Sequence, residues 1–159
     1  MSNGSFFEIK CLSKGPQETL ALGEKLGHLL FPGAIVLLNG DLGAGKTLFC
    51  GGLAKGLGID EAITSPTFNI LKVYEEGRLP FYHIDAYRLN QGSGDIGLED
   101  YLFGDGVSAV EWPEFIASYI PENHLEISID PIGENTREFT LVAKGEKYVE
   151  ILKKLEASL

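Results

Sequence analysis

Five apolar residues in a row, Ala34-Ile35-Val36-Leu37-Leu38, lead through Asn39 into a glycine-rich stretch, Gly40-Asp41-Leu42-Gly43-Ala44-Gly45-Lys46-Thr47. An apolar run without polar alternation describes a strand buried on both faces, the kind found inside a sheet covered by helices. Downstream, Phe49, Leu53 and Leu57 recur at helical spacing, which predicts a helix from about Lys46 to Leu57 with an apolar inner side. Strand, glycine loop and helix together satisfy G-x-x-x-x-G-K-[ST] in full. Each part has a physical reason. Glycines allow the backbone to wrap closely around phosphate oxygens. Successive N–H groups then point at the anion, helped by the positive end of the following helix. Lys46 can reach β- and γ-phosphates, and the Thr47 hydroxyl can ligate Mg²⁺.

The remaining elements follow from pattern. Phe6 to Leu12 reads as a strand. Pro16 suits a first helical turn, and Leu22, Leu26, Leu29 and Leu30 form one apolar helix face ending before Pro32-Gly33. Phe68 to Tyr74 and Leu79 to Ile84 flank Glu75-Glu76-Gly77-Arg78 as a hairpin would. Residues 90–106 predict a long irregular connection holding one helical turn. Val107 to Val110 is a further buried strand, and Pro113 opens a short helix. Leu125 to Ile129 and Phe139 to Ala143 predict a late antiparallel pair, and Tyr148, Ile151, Leu152 and Leu155 a closing amphipathic helix. The order predicts an α/β fold, three-layered like a P-loop NTPase, with a mixed, mostly parallel sheet carrying antiparallel additions. At 159 residues, with no linker or internal repeat, a single domain over 1–159 is expected.

A phosphate loop that supports chemistry needs acids near the metal, usually at the end of an apolar strand. Asp85 ends Phe81-Tyr82-His83-Ile84-Asp85, and Glu111 ends Val107-Ser108-Ala109-Val110-Glu111. Either one can hold Mg²⁺ through water or orient the water that attacks a γ-phosphate. Thr64-Ser65-Pro66-Thr67-Phe68 places hydroxyls on both sides of a rigid proline. It reads as a nucleotide-sensing switch or as an ordinary strand-entry turn. Asp41 lies inside the loop, where a carboxylate is unfavourable unless it points away, so a loop-capping role is expected. His83 reads as a core or partner-facing histidine, not a ligand. Trp112, the only tryptophan, reads as core, lid or partner contact. The guanine-reading Asn-Lys-x-Asp pattern is absent, which favours ATP. Only Arg78, Arg88 and Arg137 are present. An acceptor-phosphorylating kinase clamps its anions with several arginines, so this scarcity weakens that reading.

Net charge is −10, which disfavours autonomous binding to nucleic acid or to an anionic membrane. No run approaches the ~20 apolar residues of a membrane span, and Met1-Ser2-Asn3-Gly4 does not open a signal peptide. Cys11 and Cys50 are too few for a disulfide framework and read as buried thiols of a reducing cytoplasm. The scattered histidines offer no structural zinc set. Glycine, at 20 residues, stands well above the typical ~7%. The excess is expected where chemistry is done.

Gly40 to Thr47, Ser65-Pro66-Thr67-Phe68, His83-Ile84-Asp85-Ala86-Tyr87-Arg88-Leu89 and Glu111-Trp112-Pro113-Glu114 occur in one order and spacing. Together they closely resemble the TsaE family, the bacterial ATPases of tRNA threonylcarbamoyladenosine biosynthesis, over about Gly33 to Glu114. The resemblance implies a small cytoplasmic ATPase that assembles with two proteins, TsaB and TsaD. TsaD would transfer the threonylcarbamoyl group to adenosine 37 of tRNAs reading codons that begin with A. The present chain would meet tRNA only through that complex, and its ATP hydrolysis would support repeated turnover. By motif, Asp41, Leu42, Gly43, Ala44, Gly45, Lys46, Thr47 and Leu48 would bind the nucleotide. Thr47, Asp85 and Glu111 would serve Mg²⁺, and Lys46, Asp85 and Glu111 catalysis. Ser65 and Thr67 would belong to a first switch and Trp112 to a second. Leu48 stands where many members carry a second hydroxyl residue. A nucleotide-gated assembly factor and a small-molecule P-loop kinase are the alternatives.

Overall fold

The structure is a computed structural model that describes residues 5–41, 44–64, 71–87, 97–102 and 104–159. Its strands are β1 (Phe6–Ser13), β2 (Ile35–Asn39), β3 (Leu71–Tyr74), β4 (Phe81–Asp85), β5 (Val107–Glu111), β6 (His124–Pro131) and β7 (Arg137–Lys144). The helices are α1 (Pro16–Leu29), α2 (Lys46–Gly56), α3 (Leu98–Leu102) and α4 (Glu146–Ala157), with a 3-10 helix at Pro113–Tyr119. All seven strands form one sheet in the order β1-β7-β6-β2-β5-β4-β3.

The apolar run of β2 lies at the centre of this sheet, parallel to β5 on one side and β6 on the other. Its first four residues are all buried, as a strand covered on both faces requires. β4 continues the parallel set beside β5. Antiparallel strands complete both flanks: β3 on β4, with Tyr74 opposite Phe81, and β7 on β6 with β1 beyond it. The expected mixed α/β sheet is therefore present, with both expected hairpins; residues 68–70 of the first lie outside the described residues. The irregular 90–106 connection contains the anticipated helical turn as α3, while 90–96 and 103 also lie outside them.

Two apolar cores sandwich the sheet. α1, α2 and α4 bury Leu26, Phe49, Leu53 and Leu152 against Val36, Leu38 and Phe139. On the other face, α3 and the 3-10 helix place Leu98, Leu102 and Ile116 against Ile35, Leu37, Ile84 and Val110. Strand polarity then sets the site. The carboxyl ends of the parallel β2, β4 and β5 lie side by side, the usual place for a ligand in such a sheet.

Sequence pattern alone associated the glycine excess with chemistry, but part of it serves helix packing. Gly23 and Gly27 of α1 face Gly52 and Gly56 of α2. A methyl group at Gly23 would lie 2.6 Å from the Phe49 carbonyl oxygen, and one at Gly52 2.5 Å from that of Leu20. The helix backbones approach so closely that only hydrogen fits at these positions. Arg78, from the β3–β4 turn, ties this pair down by donating to the carbonyls of Gly27, Leu30 and His28 at 2.7, 3.0 and 3.1 Å. These oxygens belong to the end of α1, where carbonyls lack helical partners.

Candidate nucleotide site

The loop after β2 delivers Lys46 as the first residue of α2. Gly45 caps that helix with φ of 108°, a left-handed conformation that favours glycine. Gly45 as N-cap offers no capping side chain, and among the described residues a Cβ placed there would meet nothing within 4 Å. A helix N-terminus reached from a glycine in this conformation is the arrangement that receives an anion. Asp41 is exposed, and its backbone carbonyl accepts the Ala44 N–H at 3.0 Å. Ala44 is buried, and Thr47 and Leu48 are half-buried on the first turn of α2. Leu42 and Gly43 lie outside the described residues, as do Ser65 and Thr67 of the expected first switch.

Lys46 is buried, at 5% exposure, and its Nζ has no hydrogen-bond partner among the described residues. It lies instead 4.1 Å from the centroid of the Trp112 ring. A cation over an indole face is attracted by the ring quadrupole, but the ring does not replace the hydrogen bonds of water. The ammonium is thus oriented and short of acceptors. Phosphate oxygens meet that need, so the residues present fit a polyphosphate.

Trp112 adopts φ 58° and ψ 52°, the one positive φ among non-glycine residues described. Such a conformation is costly for a bulky side chain and persists where the surroundings enforce it. Tyr87 packs its ring on Trp112 at 5.3 Å and on Phe115 at 5.6 Å. Pro113 then opens the 3-10 helix as its first residue. The Trp112 ring is half-buried against the second core and lies over the loop lysine.

Asp85 and Glu111 are register partners at the ends of adjacent parallel strands. Asp85 is half-buried, and its Oδ1 accepts the Tyr87 N–H at 3.1 Å. Glu111 is buried, and its Oε2 lies 2.6 Å from His83 Nε2. Cys50 Sγ, a His83 ring nitrogen and a Glu111 carboxylate oxygen all lie within 4.8 Å of one another. Burial opposes the imidazolium form, but Cys50 and Glu111 more than compensate, and His83 is pushed up to about 10. His83 is therefore a core residue, as expected, but one bound to a candidate catalytic acid. The thiol, imidazole and carboxylate were too far apart in sequence to be read as a cluster. Cys50 is buried as anticipated, whereas Cys11 is only half-buried.

Arg137 was not recognised from sequence as part of the site. From the start of β7 its Nε donates to the Ala44 carbonyl at 3.1 Å, and Nη1 donates to Thr136 O at 3.3 Å. The contact braces the back of the phosphate loop.

Among the described residues, no helix is long and apolar enough to cross a membrane. The family model "Threonylcarbamoyl adenosine biosynthesis protein TsaE" matches residues 13–139. The chain is 43% identical over 141 residues to the tRNA threonylcarbamoyladenosine biosynthesis protein TsaE of Bacillus subtilis, covering 89% of each. It is 46% identical over 135 residues to that of Treponema pallidum, covering 84% of this chain and 99% of the relative. The crystal structure of Bacillus subtilis YdiB superposes with a TM-score of 0.83 at 36% identity, over 98% of this chain and 99% of that one. The match spans the phosphate loop, both strand-end acids and Trp112, and the chain belongs to the TsaE family of tRNA threonylcarbamoyladenosine biosynthesis proteins.

Proposed function

We propose that this protein binds ATP on the loop from Gly40 to Thr47 and hydrolyses the γ-phosphate with water. This activity would support a cytoplasmic TsaB–TsaD complex as it threonylcarbamoylates adenosine 37 of tRNAs reading codons that begin with A. Lys46 carries the reading: a buried ammonium at a helix N-terminus, without a hydrogen-bond acceptor among the described residues, inside a complete phosphate-loop motif. In this reading Lys46 stabilises charge on the transferring phosphoryl group. Thr47, Asp85 and Glu111 offer the hard oxygen donors that would hold Mg²⁺ directly or through water. When bound, that ion would neutralise phosphate charge. The Glu111 carboxylate orients the attacking water, and Trp112 limits access of bulk water to Lys46.

Phosphate oxygens and the Trp112 ring would compete for the same ammonium. Nucleotide arrival would therefore be linked to the position of Trp112 and the 3-10 helix behind it, a change a partner protein can sense. This contact also favours a second reading, in which ATP binding alone gates assembly. A Glu111→Gln variant that binds ATP without hydrolysing it separates the two: if it sustains tRNA modification through many turnovers, binding suffices. The kinase alternative has less support, because Arg78 is engaged with α1 and Arg137 with the loop backbone.

The primary test is phosphate release from ATP by the wild type and by Lys46→Ala, with and without TsaB–TsaD. Slow release alone, faster release with the partners, and loss of both in the variant are expected. Failure of the partners to bind or to change the rate would overturn the coupling.

A further inference from the structure

β4 and β5 run parallel with Asp85 opposite Glu111, so His83, two residues before Asp85, shares the face on which both acids stand. His83 is fully buried. Its ring stacks on Phe81 at 6.2 Å between centroids and 30° between planes. Nε2 lies 2.6 Å from Glu111 Oε2, at the short end for a charge-assisted N–H to carboxylate contact. Glu111 as a carboxylate can only accept, so Nε2 carries the proton and donates. Cys50 approaches the same cluster from α2, one turn beyond Lys46.

We propose that His83 is a positioning residue for Glu111. Its Nε2–H engages one carboxylate oxygen and thereby fixes the side chain, leaving the other oxygen to orient water at the γ-phosphate. A carboxylate held by packing alone would have more freedom about its terminal torsion, which is broad and roughly two-fold. A buried imidazole stacked on Phe81 removes that freedom. The inference rests on the ATPase reading above.

The test uses the full chain with ATP, Mg²⁺, TsaB and TsaD, and compares wild type, Glu111→Gln, His83→Leu, His83→Gln and His83→Asn. Each is scored for kcat, for KM and for equilibrium ATP affinity, after a thermal melt to confirm folding. Leucine fills space without a donor. The glutamine amide presents an N–H near the Nε2 position, while the shorter asparagine amide does not reach it. We expect His83→Leu to lower kcat about 10-fold or more, with KM and affinity within about two-fold of wild type. His83→Gln should recover most of that loss and His83→Asn little. Should the leucine variant fail to fold, the glutamine–asparagine difference decides. Equal kcat across the His83 series, or a parallel loss of kcat and affinity that glutamine does not repair, overturns the proposal and assigns His83 to packing. If the wild type releases no phosphate, the ATPase reading itself falls and the His83 role falls with it; if Glu111→Gln retains full rate, hydrolysis stands but Glu111 does not orient the water, and the His83 role falls alone. An active wild type, an inactive Glu111→Gln and a flat His83 series would remove only the His83 role.

Discussion

Arg137 stands 93 positions from Ala44 in the chain, yet donates to its carbonyl oxygen. A phosphate loop turns its N–H groups inward, so outward carbonyls need partners, and Arg137 supplies one. Replacement by Met keeps much of the apolar stem and removes the donor. Loss of one charged hydrogen bond costs about 1.5 kcal/mol, so ATP affinity of Arg137→Met should fall about tenfold. Titration calorimetry checks this, and unchanged affinity would show that the loop holds its shape unaided. Residues such as Lys46, Asp85 and Glu111 were legible in sequence because motif and strand-end position mark them locally. Arg137 and His83 were not. Their roles depend on which strand lies beside which: β7 beyond β6, and β4 in register with β5.

At the level of elements, hydrophobic periodicity was sufficient for the helices and most strands. Backbone closeness was not legible, because a glycine in a helix looks the same in sequence whether it packs or not. Gly51 and Gly52 show the difference. A methyl group at Gly51 would meet Leu20 Cδ2 at 3.8 Å, an ordinary contact, while one at Gly52 would strike α1 backbone. Gly51→Ala should therefore stabilise the fold by about 0.5–1 kcal/mol through helix propensity. Gly52→Ala should destabilise it by about 1–3 kcal/mol through overpacking. Denaturant titration of the two variants gives opposite signs if the α1–α2 contact is as tight as described. Equal responses would argue that the helices shift apart readily.

For the whole molecule, net charge and topology matter most. A chain with 23 acidic against 13 basic side chains, net charge −10, repels a phosphodiester backbone on balance. The protein alone should give no gel shift of tRNA at roughly 0.15 M salt, and should co-migrate with tRNA only when TsaB and TsaD are present. Tight, steeply salt-dependent binding by the free chain would contradict a route through partners. The sheet order adds a constraint of another kind. Among the described residues β1 pairs only with β7, so the first strand of the sheet in sequence waits for the last. The central β2 likewise waits for β5 and β6. Contacts so far apart in sequence form slowly, because long loops must close before they are rewarded. The strand that closes this sheet also carries Arg137, the brace of the phosphate loop. A chain still emerging from the ribosome can contain the complete motif and still lack a finished cradle. A protein truncated short of β7 would have its nucleotide motif without this support.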